Sequence, residues 1–92
     1  MNFVRKHIFI SGRVQGVCFR QETRLRARYW GLAGFIKNLK DGRVEIVVEG
    51  EEKKTGKLIK WVKRGPAFAK VEKIQIIEEQ YKREFKKFDI RY

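Results

Sequence analysis

The sequence holds one cysteine, one proline, one methionine and one histidine, and most of these shortages exclude something. A lone cysteine, Cys18, cannot close an intrachain disulfide, which agrees with a reducing compartment. With His7 as the single histidine, no cluster of His, Cys and carboxylates has metal-ligand spacing, and no metal site is expected. His7 is also the only imidazole open to a Ser–His–Asp or Cys–His arrangement, and no nucleophile elbow surrounds a serine. It reads instead as a partly exposed strand histidine. No apolar run approaches the roughly 20 residues of a membrane span, and no secretory apolar segment opens the chain. A soluble, cytoplasmic protein without membrane attachment is expected. Acidic residues are scarce too, 11 against 23 Lys plus Arg, for a formal charge of +12. Such a field favours anionic partners without choosing among nucleic acid, acidic membranes and small phosphates.

What is present fits one folded domain over residues 1–92. The chain is 42% hydrophobic and 13% aromatic, enough for one core and too apolar for disorder. Ile8 and Ile10 alternate with His7, Phe9 and Ser11 as a first strand ending at Gly12. Phe19, Thr23, Ala27 and Trp30 then share one helix face, with Gly31 as its stop. Residues 35–38 predict a second strand, and Asp41-Gly42 turns it into a third, Arg43 to Glu49. A second helix opens at Glu51-Glu52, buries Leu58, Ile59 and Val62 with Trp61 beside them, and ends at Gly65-Pro66. Val71, Ile74 and Ile76 form a fourth strand whose phase slips, predicting a β-bulge near Glu72 or Lys73. Glu78 to Lys87 reads as a polar, mobile connection, and Phe88, Ile90 and Tyr92 as a short final strand. The order is βαββαβ plus a terminal strand. It predicts an α+β, ferredoxin-like sandwich with two helices on one face of a mostly antiparallel sheet.

One segment carries a chemical signal: Gly12-Arg13-Val14-Gln15-Gly16-Val17-Cys18-Phe19-Arg20, from strand end to helix start. Its glycines free the backbone to curl, and the intervening N–H groups lack obvious intrachain acceptors. Such amides at a helix N-terminus can cradle a phosphate. Arg20 adds a planar guanidinium able to grip two phosphate oxygens. The same segment also reads as an ordinary strand-to-helix connection with a surface arginine, and alone it does not separate the two.

A second segment does. Gly34-Phe35-Ile36-Lys37-Asn38 precedes Leu39-Lys40-Asp41-Gly42-Arg43-Val44, with Gly50 further on. Together with Ile10-Ser11-Gly12 and the first motif, the chain resembles the acylphosphatase family in both signature regions. Gly65-Pro66-Ala67-Phe68-Ala69-Lys70-Val71 and the ending Phe88-Asp89-Ile90-Arg91-Tyr92 resemble it as well. The likeness runs over essentially the whole chain. It implies metal-independent, cofactor-free hydrolysis of small acyl phosphates to a carboxylate and inorganic phosphate. Arg20 matches the family's phosphate-binding arginine, and Asn38 the asparagine that orients the attacking water. The amides of Gln15, Gly16, Val17, Cys18 and Phe19 match its phosphate loop, where inorganic phosphate or sulfate should also bind. In that family a phosphate oxygen takes the water's proton, so the resemblance implies no protein base. Cys18 reads as a small apolar filler there, and Trp30 and Trp61 as core.

The sparse inventory of acids and bases suits that chemistry. An acyl phosphate is a mixed anhydride whose carboxylate leaves without protonation. Phosphoryl transfer through a loose transition state asks mainly for positioning and charge stabilisation. The paired carboxylates Glu51-Glu52 and Glu78-Glu79 read as solvated faces. Two rival readings stay in view. A nucleic-acid-binding ferredoxin-like module would gain backbone affinity from the charge, but needs exposed aromatics on its central strands. Residues 43–49 contain none, and Phe9 alone is a poor platform, so no specific nucleic-acid partner is expected. A noncatalytic acylphosphatase-like scaffold would not need Arg20 and Asn38, and both are present.

Overall fold

The computed structural model describes residues 2–92. Its elements are β1 (Phe3–Arg13), α1 (Phe19–Tyr29), β2 (Ala33–Asn38), β3 (Val44–Glu51), α2 (Glu52–Val62), β4 (Lys70–Glu79) and β5 (Phe88–Arg91). The strands form one sheet in the order β4-β1-β3-β2-β5. All neighbours are antiparallel except β2 and β5, which run parallel. The expected α+β arrangement is therefore present, closed by a parallel terminal strand.

Period-2 alternation decides the sheet's two faces. Ile8 and Ile10 of β1, Ile36 of β2 and Val44, Ile46 and Val48 of β3 are fully buried toward the helices. Phe19, Thr23 and Ala27 of α1 and Thr55, Leu58 and Val62 of α2 meet them from above. Trp30 and Trp61 are half-buried at the margin of this core rather than inside it, and Arg26 lies over Trp61 at 4.1 Å. Helix α1 ends in a Schellman motif: Leu32 N–H donates to Ala27 C=O and Gly31 N–H to Arg28 C=O, with Gly31 at φ 69°. The bulge lies where the phase slip placed it. Ser11 pairs with Lys73 but Gly12 with Val71, leaving Glu72 as the extra residue.

The other face of the sheet differs from expectation. Strand β1 starts at Phe3, four residues before the expected start at His7, because the charged pair Arg5-Lys6 hides the alternation. Arg5 is only 9% exposed; its Nε donates to Glu79 at 2.7 Å and its Nη1 to Glu84 at 2.7 Å and Glu49 at 3.4 Å. Burial opposes the Arg5 charge, but those three carboxylates outweigh it and raise the pKa. His7 is held between Glu79, 2.8 Å from Nδ1, and Glu45, 2.7 Å from Nε2. Of the Glu78-Glu79 pair, Glu78 stays on the solvated face, where it bonds Lys6, whereas Glu79 is half-buried and held below the usual carboxylate range by Arg5 and then His7.

The connection after β4, expected to be mobile, is anchored instead. Glu49, 2% exposed, accepts the backbone N–H groups of Lys82 and Glu84, each at 2.8 Å. Tyr81 stacks on Phe3, and Phe85 meets Phe35 edge-on at 5.9 Å. Phe35 is a second outward ring beside Phe9, and both are covered by the protein's own guanidinium groups, Arg91 at 4.0 Å and Arg43 at 4.9 Å.

Candidate active site

Strands β1 and β2 both run antiparallel to β3, so both end at the same edge of the sheet, with Val44 between Ile10 and Asn38. The loop leaving β1 and the residue closing β2 are therefore brought together. Between them lies a cavity of about 240 Å³ lined by Val14, Gly16, Cys18, Phe19, Arg20, Gln21 and Asn38. A wider groove of about 580 Å³ on the outside of α1 shares Gln21, but Leu25 and Tyr29 make it largely apolar. The smaller cavity holds the polar groups.

The loop's geometry follows from alternating backbone handedness. Gly16 has φ 75° and Cys18 φ 64°, whereas neither Gln15 nor Val17 has positive φ. Alternation of this kind turns successive N–H groups toward one side, forming an anion-binding nest. Gly16 takes its conformation without cost; Cys18 takes it as the N-terminal cap of α1, where no side chain caps the helix. Among the described residues, the backbone N–H groups from Gly16 to Gln21 donate to no turn, loop or side-chain acceptor. Three of them, Phe19, Arg20 and Gln21, are the orphan donors of the first helical turn, at the positive end of its dipole.

Arg20 is half-buried and pairs with no carboxylate among the described residues; its Cζ lies 4.9 Å from the centre of the Tyr92 ring. Asn38 closes β2 on the core-facing side, and its Oδ1 is buried without a hydrogen-bond partner. A buried acceptor left open costs on the order of 1–3 kcal/mol, so an unpartnered oxygen on a side chain that lines a cavity asks for a water or a ligand.

The structure thus gathers Gly16, Cys18, Phe19, Arg20 and Asn38 around one cavity and leaves Gln15 and Val17 outside its lining. The Gln15 carboxamide turns away to the carbonyls of Leu39 and Arg43. Cys18, expected as a small apolar filler, is exposed and lines the cavity. Tyr92 and the Gln15 side chain escaped sequence reasoning, since neither stands at a periodic distance from what it touches. His7 lies on the opposite face, between Glu45 and Glu79. No group of three or more His, Cys, Asp or Glu among the described residues could hold a metal ion. No helix there is long and apolar enough to cross a membrane.

Known proteins agree with this architecture. The family model described as Acylphosphatase matches residues 6–90. The chain is 51% identical over 80 residues to an acylphosphatase of Chloroflexus aurantiacus, covering 87% of this chain and 87% of that relative. It is 46% identical over 90 residues to an acylphosphatase of Roseiflexus sp., covering 98% and 97%. The crystal structure of acylphosphatase from Bacillus subtilis matches with a TM-score of 0.92 at 39% identity, over 97% of this chain and 99% of that one. The chain belongs to the acylphosphatase family.

Proposed function

We propose that this acylphosphatase hydrolyses small acyl phosphates by holding the phosphoryl group over the loop 15–20 and placing a water with Asn38. The phosphoryl oxygens face the nest and the helix N-terminus, and the Arg20 fork takes two of them. The Asn38 Oδ1 accepts a hydrogen bond from the water and orients its lone pair toward phosphorus. As the water oxygen bonds to phosphorus, the bond from phosphorus to the acyl oxygen breaks and its electron pair leaves with the carboxylate. The water's proton passes to a phosphoryl oxygen, so no side chain needs to act as a base. Arg20 and the amides stabilise the phosphoryl charge throughout. No metal or organic cofactor is assigned a part, and inorganic phosphate or sulfate should occupy the same cradle as a product-like ligand. The acyl end lies outward, toward solvent.

The observation that carries this reading is Asn38, which lines the same cavity as Arg20 and the loop and whose buried Oδ1 has no hydrogen-bond partner among the described residues. Phosphate release from acetyl phosphate tests it. Asn38→Ala should lower kcat by about 10²-fold, the loss typical of one preorganised polar group, while competitive inhibition by inorganic phosphate stays nearly constant. An Asn38→Ala protein that keeps most of its kcat overturns the assignment.

A further inference from the structure

Among the described residues the Asn38 Oδ1 has no hydrogen-bond partner, so the placing of its carboxamide depends on how firmly the end of β2 is held. The turn that follows is closed by Leu39 N–H to Arg43 C=O at 2.8 Å and Gly42 N–H to Leu39 C=O at 3.2 Å. The same two carbonyls receive a second donor from across the site: Gln15 Nε2 lies 2.8 Å from Leu39 O and 3.0 Å from Arg43 O. Both partners are pure acceptors, so the NH₂ end of the carboxamide must face them, and both of its hydrogens are used. Gln15 is half-buried, which shields these bonds from competing water. Its side chain thereby ties the loop that holds phosphate to the turn that begins one residue after Asn38.

We propose that Gln15 is a positioning residue for the hydrolysis. Its carboxamide sets the separation between the phosphate cradle and the water held by Asn38. This rests on the water-holding role given to Asn38 above. Gln15 does not line the cavity, so its side chain has no direct contact to offer the phosphate. Geometry is where the reaction is sensitive, since a misplacement of about 1 Å can cost on the order of 10²-fold. A second consequence is directional: the tie should matter for turnover and hardly at all for phosphate affinity.

The test uses Gln15→Met, which keeps length and removes both donors, and Gln15→Lys, which restores donors. Each is made alone and combined with Asn38→Ala. With acetyl phosphate as substrate, Gln15→Met should lower kcat by about 10-fold or more while the inorganic phosphate inhibition constant stays within about threefold. Gln15→Lys should recover most of that loss. In the Asn38→Ala background, Gln15→Met should cost less than about twofold further, because there is no placed water left to misplace. A kcat for Gln15→Met within about twofold of wild type overturns the proposal. So does an equal loss in both backgrounds, or a parallel loss of phosphate affinity. Asn38→Ala retaining its own kcat would instead sink the underlying water-holding role, which is read from that single variant. Thermal midpoints accompany every measurement. Should Gln15→Met not fold, Gln15→Glu, which sets an acceptor against the two carbonyls, carries the same expectation and the same overturning result.

Discussion

The guanidinium of Arg20 lies over the ring of Tyr92, with Cζ 4.9 Å from its centre. A carboxylate in that place would neutralise the arginine. An aromatic face restrains it and leaves the whole positive charge for an incoming anion.

That arrangement separates two substitutions. Arg20→Lys keeps the charge but loses the fork, and should impair both acyl phosphate binding and turnover. Tyr92→Ala should weaken inhibition by inorganic phosphate about 2- to 5-fold, the value of an exposed cation–π contact, while Tyr92→Phe leaves it unchanged. Steady-state inhibition reads both. Equal constants for Tyr92→Ala and wild type would remove the ring from any part in the site.

Activity in excess chelator should equal activity without it. Arg20 and the unpaired amides of the first turn of α1 supply the positive potential that a cation would otherwise bring. Loss of phosphate release with chelator, and its return with a divalent ion, would contradict this mechanism.

Acid should loosen the anchored connection after β4. Burial works against the Glu49 charge, but the N–H groups of Lys82 and Glu84 and the Arg5 guanidinium more than compensate and hold its pKa below the ordinary value. A carboxylate depressed on folding contributes stability above its unfolded pKa, about 4.3, and loses it as pH falls through the folded value. The thermal midpoint should therefore fall steadily below about pH 5. Glu49→Gln should cost on the order of 2–3 kcal/mol at pH 7 and flatten part of that fall, seen in midpoints across a pH series. Parallel curves for the two proteins would exclude Glu49 as the titrating anchor.

Two glycines should respond in opposite directions. Gly34 has φ 142°, and a Cβ there would run into the Val47 carbonyl across the sheet. Gly34→Ala should cost about 3 kcal/mol, since backbone is unable to yield as a flexible side chain would. Gly56 sits within α2 at ordinary φ with open space around its Cβ position. Gly56→Ala should stabilise by about 0.5–1 kcal/mol by removing chain entropy from the unfolded state. Denaturant unfolding distinguishes them, and similar values for both would refute the steric account.

The sequence by itself determined what depends on near neighbours. Period-2 and helical alternation placed the strands and helices, Gly31 stopped α1, and the slip between Val71 and Ile74 marked the bulge at Glu72. Backbone curl and a helix start are local properties, so Gly16 and Arg20 could be read as a candidate phosphate cradle, whereas Asn38 at a strand end was singled out only by the resemblance to the acylphosphatase family. Only the tertiary structure decided which distant groups meet. The order β4-β1-β3-β2-β5 brings the ends of β1 and β2 together, sets Tyr92 under Arg20, and lets Gln15 reach Leu39 and Arg43. It also gives Glu49 the amides of Lys82 and Glu84, turning a polar stretch that looked mobile into a fastened one. A hydrogen-bonding side chain has the same composition whether its partner is water or a residue across the sheet, and that choice belongs to the packing of the whole chain.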